Sequence, residues 1–130
     1  MSNGTYISKG TPLEGKYIQW TSIGISGRNY AINPLWTFGY NNYGQLGTGN
    51  TTSYSSPVQV GSLTNWKLVA GGQYHTAAIK TDGTLWTFGF NNYGQLGQGN
   101  ITSYSSPVQV GTLTNWSQVA CGIYHTAAVY

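Results

Sequence analysis

The chain repeats itself. Leu35–Asn50 reads LWTFGYNNYGQLGTGN and Leu85–Asn100 reads LWTFGFNNYGQLGQGN, and the likeness continues without a gap, so that 31–80 aligns with 81–130 at an offset of 50 residues. Self-similarity with a period of roughly 20–50 residues restricts a fold to solenoids, propellers and arrays, in which each repeat buries its apolar face on its neighbours. Helical arrays are excluded by the repeat's own wording. Each unit is rich in Gly and Asn and has no 3.6-residue apolar period.

Within a unit the pattern is one of short strands. LWTFGY alternates, with Trp36 and Phe38 on one face. The polar stretch after it is built from turn formers. PVQV at Pro57–Val60 can begin an edge strand, because a proline at a strand start forfeits no ladder bond. WKLVAGG and HTAAIK follow. TDGT at Thr81–Thr84 centres Asp-Gly in a tight turn, which predicts a two-residue hairpin joining HTAAIK to LWTFGF. Four short strands in 50 residues is the size of a propeller blade. The expected organisation is therefore all-β, with about two and a half four-stranded repeats. Residues 31–80 are one blade and 81–130 a second. Residues 1–30 hold a degenerate half repeat, in which IQWTSIGISGRNYAI weakly echoes TNWKLVAGGQYHTAAI.

Composition narrows the function. The chain has 5 basic and 2 acidic residues in 130, and its polarity comes from Asn, Gln, Ser, Thr and Tyr. The small net charge of +3 is not clustered, so binding to nucleic acid by displacing counterions is not expected. No stretch is apolar for the length of a membrane helix, and MSNGTYISKG has no apolar signal core. These features predict no membrane partner and a cytoplasmic place. A single cysteine, Cys121, rules out an intrachain disulfide and a cysteine metal cluster.

With LWTFGFNNYGQLGQGN, SPVQV and VACGIYHTAAV in register twice, the chain resembles the repeat of the regulator of chromosome condensation family. The resemblance covers the two full units clearly and about fifteen further residues weakly. The uniform wording SSPVQVG(S/T)LTNW is most similar to bacterial and bacteriophage arrays, which implies a virion-surface or tail-associated place. The resemblance also implies a seven-bladed propeller, which at this period needs about 350 residues. A chain of 130 residues is then an incomplete ring. An open piece would leave sheet edges and one-sided aromatic faces that invite association. The expected partners are copies of the chain itself, further blades of a longer array, or a different protein.

Candidate chemistry is sparse. His75 and His125 stand at equivalent places in YHTAA, with no carboxylate or second histidine at ligand spacing. The family resemblance makes them structural, near the propeller centre. Asp82 is the only carboxylate inside the repeats and suits its turn. GQLGTGN lacks the Lys-Ser/Thr of a phosphate loop. No catalytic residue, metal site or cofactor is expected, and the chain is read as not an enzyme. Trp36, Trp66, Trp86 and Trp116 are assigned to the core between blades, with Leu46 and Leu96 plugging the same space. Tyr43, Tyr54, Tyr93 and Tyr104 lie in polar loops and are the candidate binding residues.

The reading that follows is a non-catalytic repeat module for protein binding or assembly, self-associating to complete a ring. One alternative is nucleotide exchange and chromatin binding, as the family name suggests. The basic tail and the acidic residue that such an activity implies have no counterpart here. The other is carbohydrate binding through the Tyr and Trp loops.

Overall fold

A computed structural model describes residues 32–130; the degenerate half repeat at 1–30 lies outside them. Eight strands follow one another: β1 (Trp36–Gly39), β2 (Tyr54–Gln59), β3 (Trp66–Gly71), β4 (His75–Lys80), β5 (Leu85–Gly89), β6 (Tyr104–Gln109), β7 (Gln118–Cys121) and β8 (Thr126–Val129). The described residues contain no helix. The strands form three antiparallel sheets, β1-β2, β3-β4-β5-β6 and β7-β8.

The sheets are out of phase with the repeat. The four-stranded sheet takes β3 and β4 from the unit 31–80 and β5 and β6 from the unit 81–130. A complete blade thus straddles the boundary that sequence alignment draws at 80/81, and each flank carries half a blade. The reason is local. The turn at Thr81, Asp82 and Gly83 is closed by backbone hydrogen bonds among Lys80, Gly83 and Thr84, and β4 and β5 pair in full register from His75↔Gly89 to Ile79↔Leu85. The loop from Gln59 to Trp66, by contrast, carries the chain from one sheet to the next.

Two local expectations are corrected. The β4–β5 turn has three residues, not two. Gly83 N–H donates to Lys80 C=O at 3.0 Å, and Lys80 N–H donates to Thr84 C=O at 3.0 Å. This is a type I turn closed by a glycine bulge, with Gly83 at φ 81°. Asp82 secures it by accepting Thr84 N–H at 3.0 Å and Thr84 Oγ1–H at 2.6 Å. Secondly, β2 and β6 begin at Tyr54 and Tyr104 and hold Pro57 and Pro107 inside them. The prolines are tolerated because, among the described residues, β6 is an outer strand of its sheet and β2 pairs only with β1.

The middle sheet has apolar residues on both faces. Ala78 and Phe88 pack with Leu35, Val60 and Trp66, which joins the β1-β2 half to one face. Ala77, Ile79 and Leu85 pack with Val110, Trp116, Val119, Cys121 and Ala128, which joins the β7-β8 half to the other. That is why every residue of β4 is buried, Lys80 included. The Lys80 ammonium lies over the Trp86 ring at 3.6 Å and the Trp66 ring at 5.1 Å.

Candidate binding face

The long loop after β1, and its copy after β5, is built around one buried asparagine. Asn41 and Asn91 are fully buried. Asn91 Nδ2 donates to the carbonyls of Asn100 (3.0 Å) and Thr102 (2.8 Å), and its Oδ1 accepts Leu96 N–H at 2.9 Å. Asn41 makes the same bonds to Asn50, Thr52 and Leu46, at 3.0, 2.9 and 2.9 Å. One side chain thus satisfies backbone groups that no strand can reach. The loop is rigid for that reason, and Leu46 and Leu96 are held buried beneath it. Thr37 and Thr87 hydroxyls clamp the same turn by donating to Leu46 C=O and Leu96 C=O, both at 2.7 Å.

Rigid loops fix the aromatics that flank them. Tyr40 and Phe90 end the strands β1 and β5, Tyr43 and Tyr93 sit in the turns that follow, and Tyr74 and Tyr124 precede the two histidines. Phe90 N–H donates to Tyr74 C=O at 2.8 Å, tying strand end to loop. The six rings form one continuous belt. Ring centroids lie 5.1 Å apart for Tyr43–Tyr74, 4.8 Å for Tyr43–Phe90, 6.1 Å for Phe90–Tyr93 and 4.8 Å for Tyr93–Tyr124, with Tyr40 6.1 Å from Tyr74. The rings meet at tilted or edge-on angles, as aromatic quadrupoles prefer. Tyr40, Tyr43, Tyr93 and Tyr124 are exposed. The belt contains no charged residue. Phenol hydroxyls are its polar groups, and the exposed Asn42 and Asn92 adjoin it in sequence.

The four tyrosines singled out by sequence do not stay together. Tyr43 and Tyr93 belong to the belt. Tyr54 and Tyr104 begin β2 and β6, where each phenol oxygen accepts an Asn Nδ2–H, from Asn50 and Asn100, at 3.1 Å. Sequence reading missed Tyr40, Tyr74, Phe90 and Tyr124. Their signal was present, an aromatic after each WTFG and before each His, but nothing in the sequence shows that these positions converge.

The tryptophans also divide. Trp66 is buried, and Trp86 and Trp116 are partly buried against the two apolar clusters. Trp36 is a correction. It lies 51% exposed on β1, because the strand that covers its equivalent Trp86 on one side is β4, and among the described residues β1 pairs only with β2.

The histidines differ in the same way. His75 is buried and its Nε2 lies 2.9 Å from Thr126 Oγ1. Thr126 donates its own proton to Gln95 C=O at 2.8 Å, so it accepts from His75 Nε2–H. Burial holds the imidazole below its ordinary pKa and therefore neutral. His125 is exposed. Burial pushes the Cys121 thiol up, away from the reactive thiolate. Among the described residues no group of three or more His, Cys, Asp or Glu could hold a metal ion, and no helix is long and apolar enough to cross a membrane.

Comparison with known proteins places this architecture. The family model of the Regulator of chromosome condensation (RCC1) repeat matches residues 34–79 and 82–129, and a second model of the same repeat matches 66–95. The chain belongs to this repeat family. Among solved structures, human WBSCR16 is 26% identical with a TM-score of 0.65. Prp20p of Saccharomyces cerevisiae, described with its binding to Gsp1p and histones, is 18% identical with a TM-score of 0.66. Yeast RCC1 (Prp20) bound to Kap60 is 20% identical with a TM-score of 0.62. Each match covers 74% of this chain and only 26% of the other. The chain thus spans about a quarter of the length of the propellers it matches.

Proposed function

We propose that the chain is a non-catalytic propeller module that binds protein through the aromatic belt and completes its ring by self-association. The belt carries the first half of this reading. Exposed, uncharged aromatic surface held on rigid loops loses little conformational entropy on binding and favours an apolar or hydrogen-bonding partner over a charged one. The relatives whose descriptions name Gsp1p, histones and Kap60 are proteins that bind proteins. The two half-sheets support the second half of the reading, since among the described residues each leaves a strand edge that a further strand can extend. A virion-surface or tail-associated setting is consistent with a nearly uncharged repeat and stands as part of the proposal.

The test is a displayed library of uncharged peptides against the full chain, with a glycan array in parallel. Expected are enriched peptides whose binding falls at least tenfold in the Tyr93→Ala, Tyr124→Ala double variant, with a blank glycan array. Glycan binding lost in the same variant would transfer the belt to the carbohydrate reading. Nucleotide exchange is the second reading, favoured by the family match alone. It predicts accelerated release of fluorescent GDP from a small GTPase by the purified chain.

A further inference from the structure

Phe88 is the central plug of the described fold, and its surroundings are duplicated without it. It is fully buried among Leu35, Val60, Trp66 and Ala78. Gly47 closes this socket: a Cβ there would meet the Phe88 ring at 2.7 Å. Adding the repeat offset of 50 to these five positions gives Leu85, Val110, Trp116, Ala128 and Gly97. All five line one cavity of about 320 Å³ beside β8. A Cβ at Gly97 would meet nothing nearer than Val110, at 3.4 Å. The cavity is the Phe88 socket without its phenylalanine.

The chain itself carries the missing plug. Phe38, the equivalent of Phe88 on β1, is 61% exposed. Its strand already has the required backbone. Gly39 has φ 114° and Gly89 φ 111°. At Gly89 that conformation lets β5 approach β4 so closely that a Cβ would meet Tyr74 C=O at 2.6 Å. At Gly39 a Cβ would meet nothing within 4 Å. The strand that would receive it, β8, pairs only with β7 among the described residues. Val129 on β8 is 59% exposed, whereas its equivalent Ile79 is fully buried.

Resting on the self-association reading, we infer that β8 of one copy pairs with β1 of a second copy, whose Phe38 fills the cavity lined by Leu85, Val110, Trp116 and Ala128. The register follows β4–β5, where His75↔Gly89, Thr76↔Phe88 and Ala77↔Thr87 are partners. It sets His125 opposite Gly39, Thr126 opposite Phe38 and Ala127 opposite Thr37 of the second copy. The contact is head-to-tail, the same on every copy, so it propagates until it closes. Among the described residues, one whole blade and two half-blades make two blades per copy. Two to four copies then span the roughly four to eight blades that propellers use.

The test measures native mass, then fixes the contact. Cys121→Ala serves as background, with Thr37→Cys and Ala127→Cys added, since antiparallel partners lie within disulfide reach. Expected are a discrete oligomer of two to four copies, interchain disulfides on mild oxidation, and at least tenfold weaker association in Phe38→Ala with an unchanged circular dichroism spectrum. Mixing Phe38→Ala with Ala128→Leu leaves one knob and one open socket, so assembly should stop at two chains. An oligomer that resists Phe38→Ala and forms no such disulfide overturns this register and leaves self-association standing. A monomer at all concentrations overturns both.

Discussion

Phe88 and Phe38 occupy the same place in the same sentence, yet one is fully buried and the other 61% exposed. The local backbone is shared, down to the bulge that interrupts Thr37/Gly39 and Thr87/Gly89. What differs is the neighbour. β5 has β4 on one side and β6 on the other, while among the described residues β1 has only β2. The middle blade and the half-blades show that in a repeat array a residue's burial belongs to the next element rather than to its own unit. A position that reads as core in every repeat is core only where the sheet is whole.

The sharpest way to break this comparison is at the two phenylalanines. Phe88→Ala should lower the unfolding free energy by about 3–5 kcal/mol. Phe38→Ala, measured by denaturant titration at concentrations where the chain is dissociated, should change it by less than about 1 kcal/mol. Equal losses would mean that the half-sheet is as well packed as the whole one.

The loops set a control, because their buried asparagines satisfy the same backbone groups. Asn91→Leu leaves several buried backbone groups without partners and should cost about 2–4 kcal/mol. Asn41→Leu should cost about the same, since it bonds the equivalent three backbone groups. A milder Asn41 would extend the contrast from the edges into the loops.

The histidines sharpen the comparison through pH. His75 has a lowered folded pKa, so the unfolded chain takes up its proton first as pH falls. The stability held by neutral His75 is present above the ordinary value of 6.5 and is lost as pH drops below it. The thermal midpoint should therefore fall below pH 6.5, with a slope of at most about 1.4 kcal/mol per pH unit from this group. His75→Gln should flatten that limb. The smallest effect belongs to Tyr104→Phe. It removes one exposed hydrogen-bond acceptor from Asn100 and should cost below about 1 kcal/mol by the same titration.

Much of this was legible from residues alone. The repeat, the turn formers and the absent helical period gave an all-β propeller piece, and YHTAA paired with LWTFGF across TDGT as expected. The belt was half legible. Tyr43 and Tyr93 stood out because loops carry function. Tyr40, Tyr74, Phe90 and Tyr124 did not, because nothing in their spacing says that two separate loops converge.

The sequence by itself determined the strands, the polar loops between them and the family, since turn chemistry and alternation act over a few residues. Only the tertiary structure decided which strands share a sheet. The blade joins the end of one unit to the start of the next because the hydrogen-bonded turn at Thr81–Gly83 fixes a strand pair with no register shift. Tertiary structure alone also decided that Phe88 fills a socket while Phe38 and the matching cavity beside β8 lie open. Burial depends on what packs across a sheet, and that information is non-local.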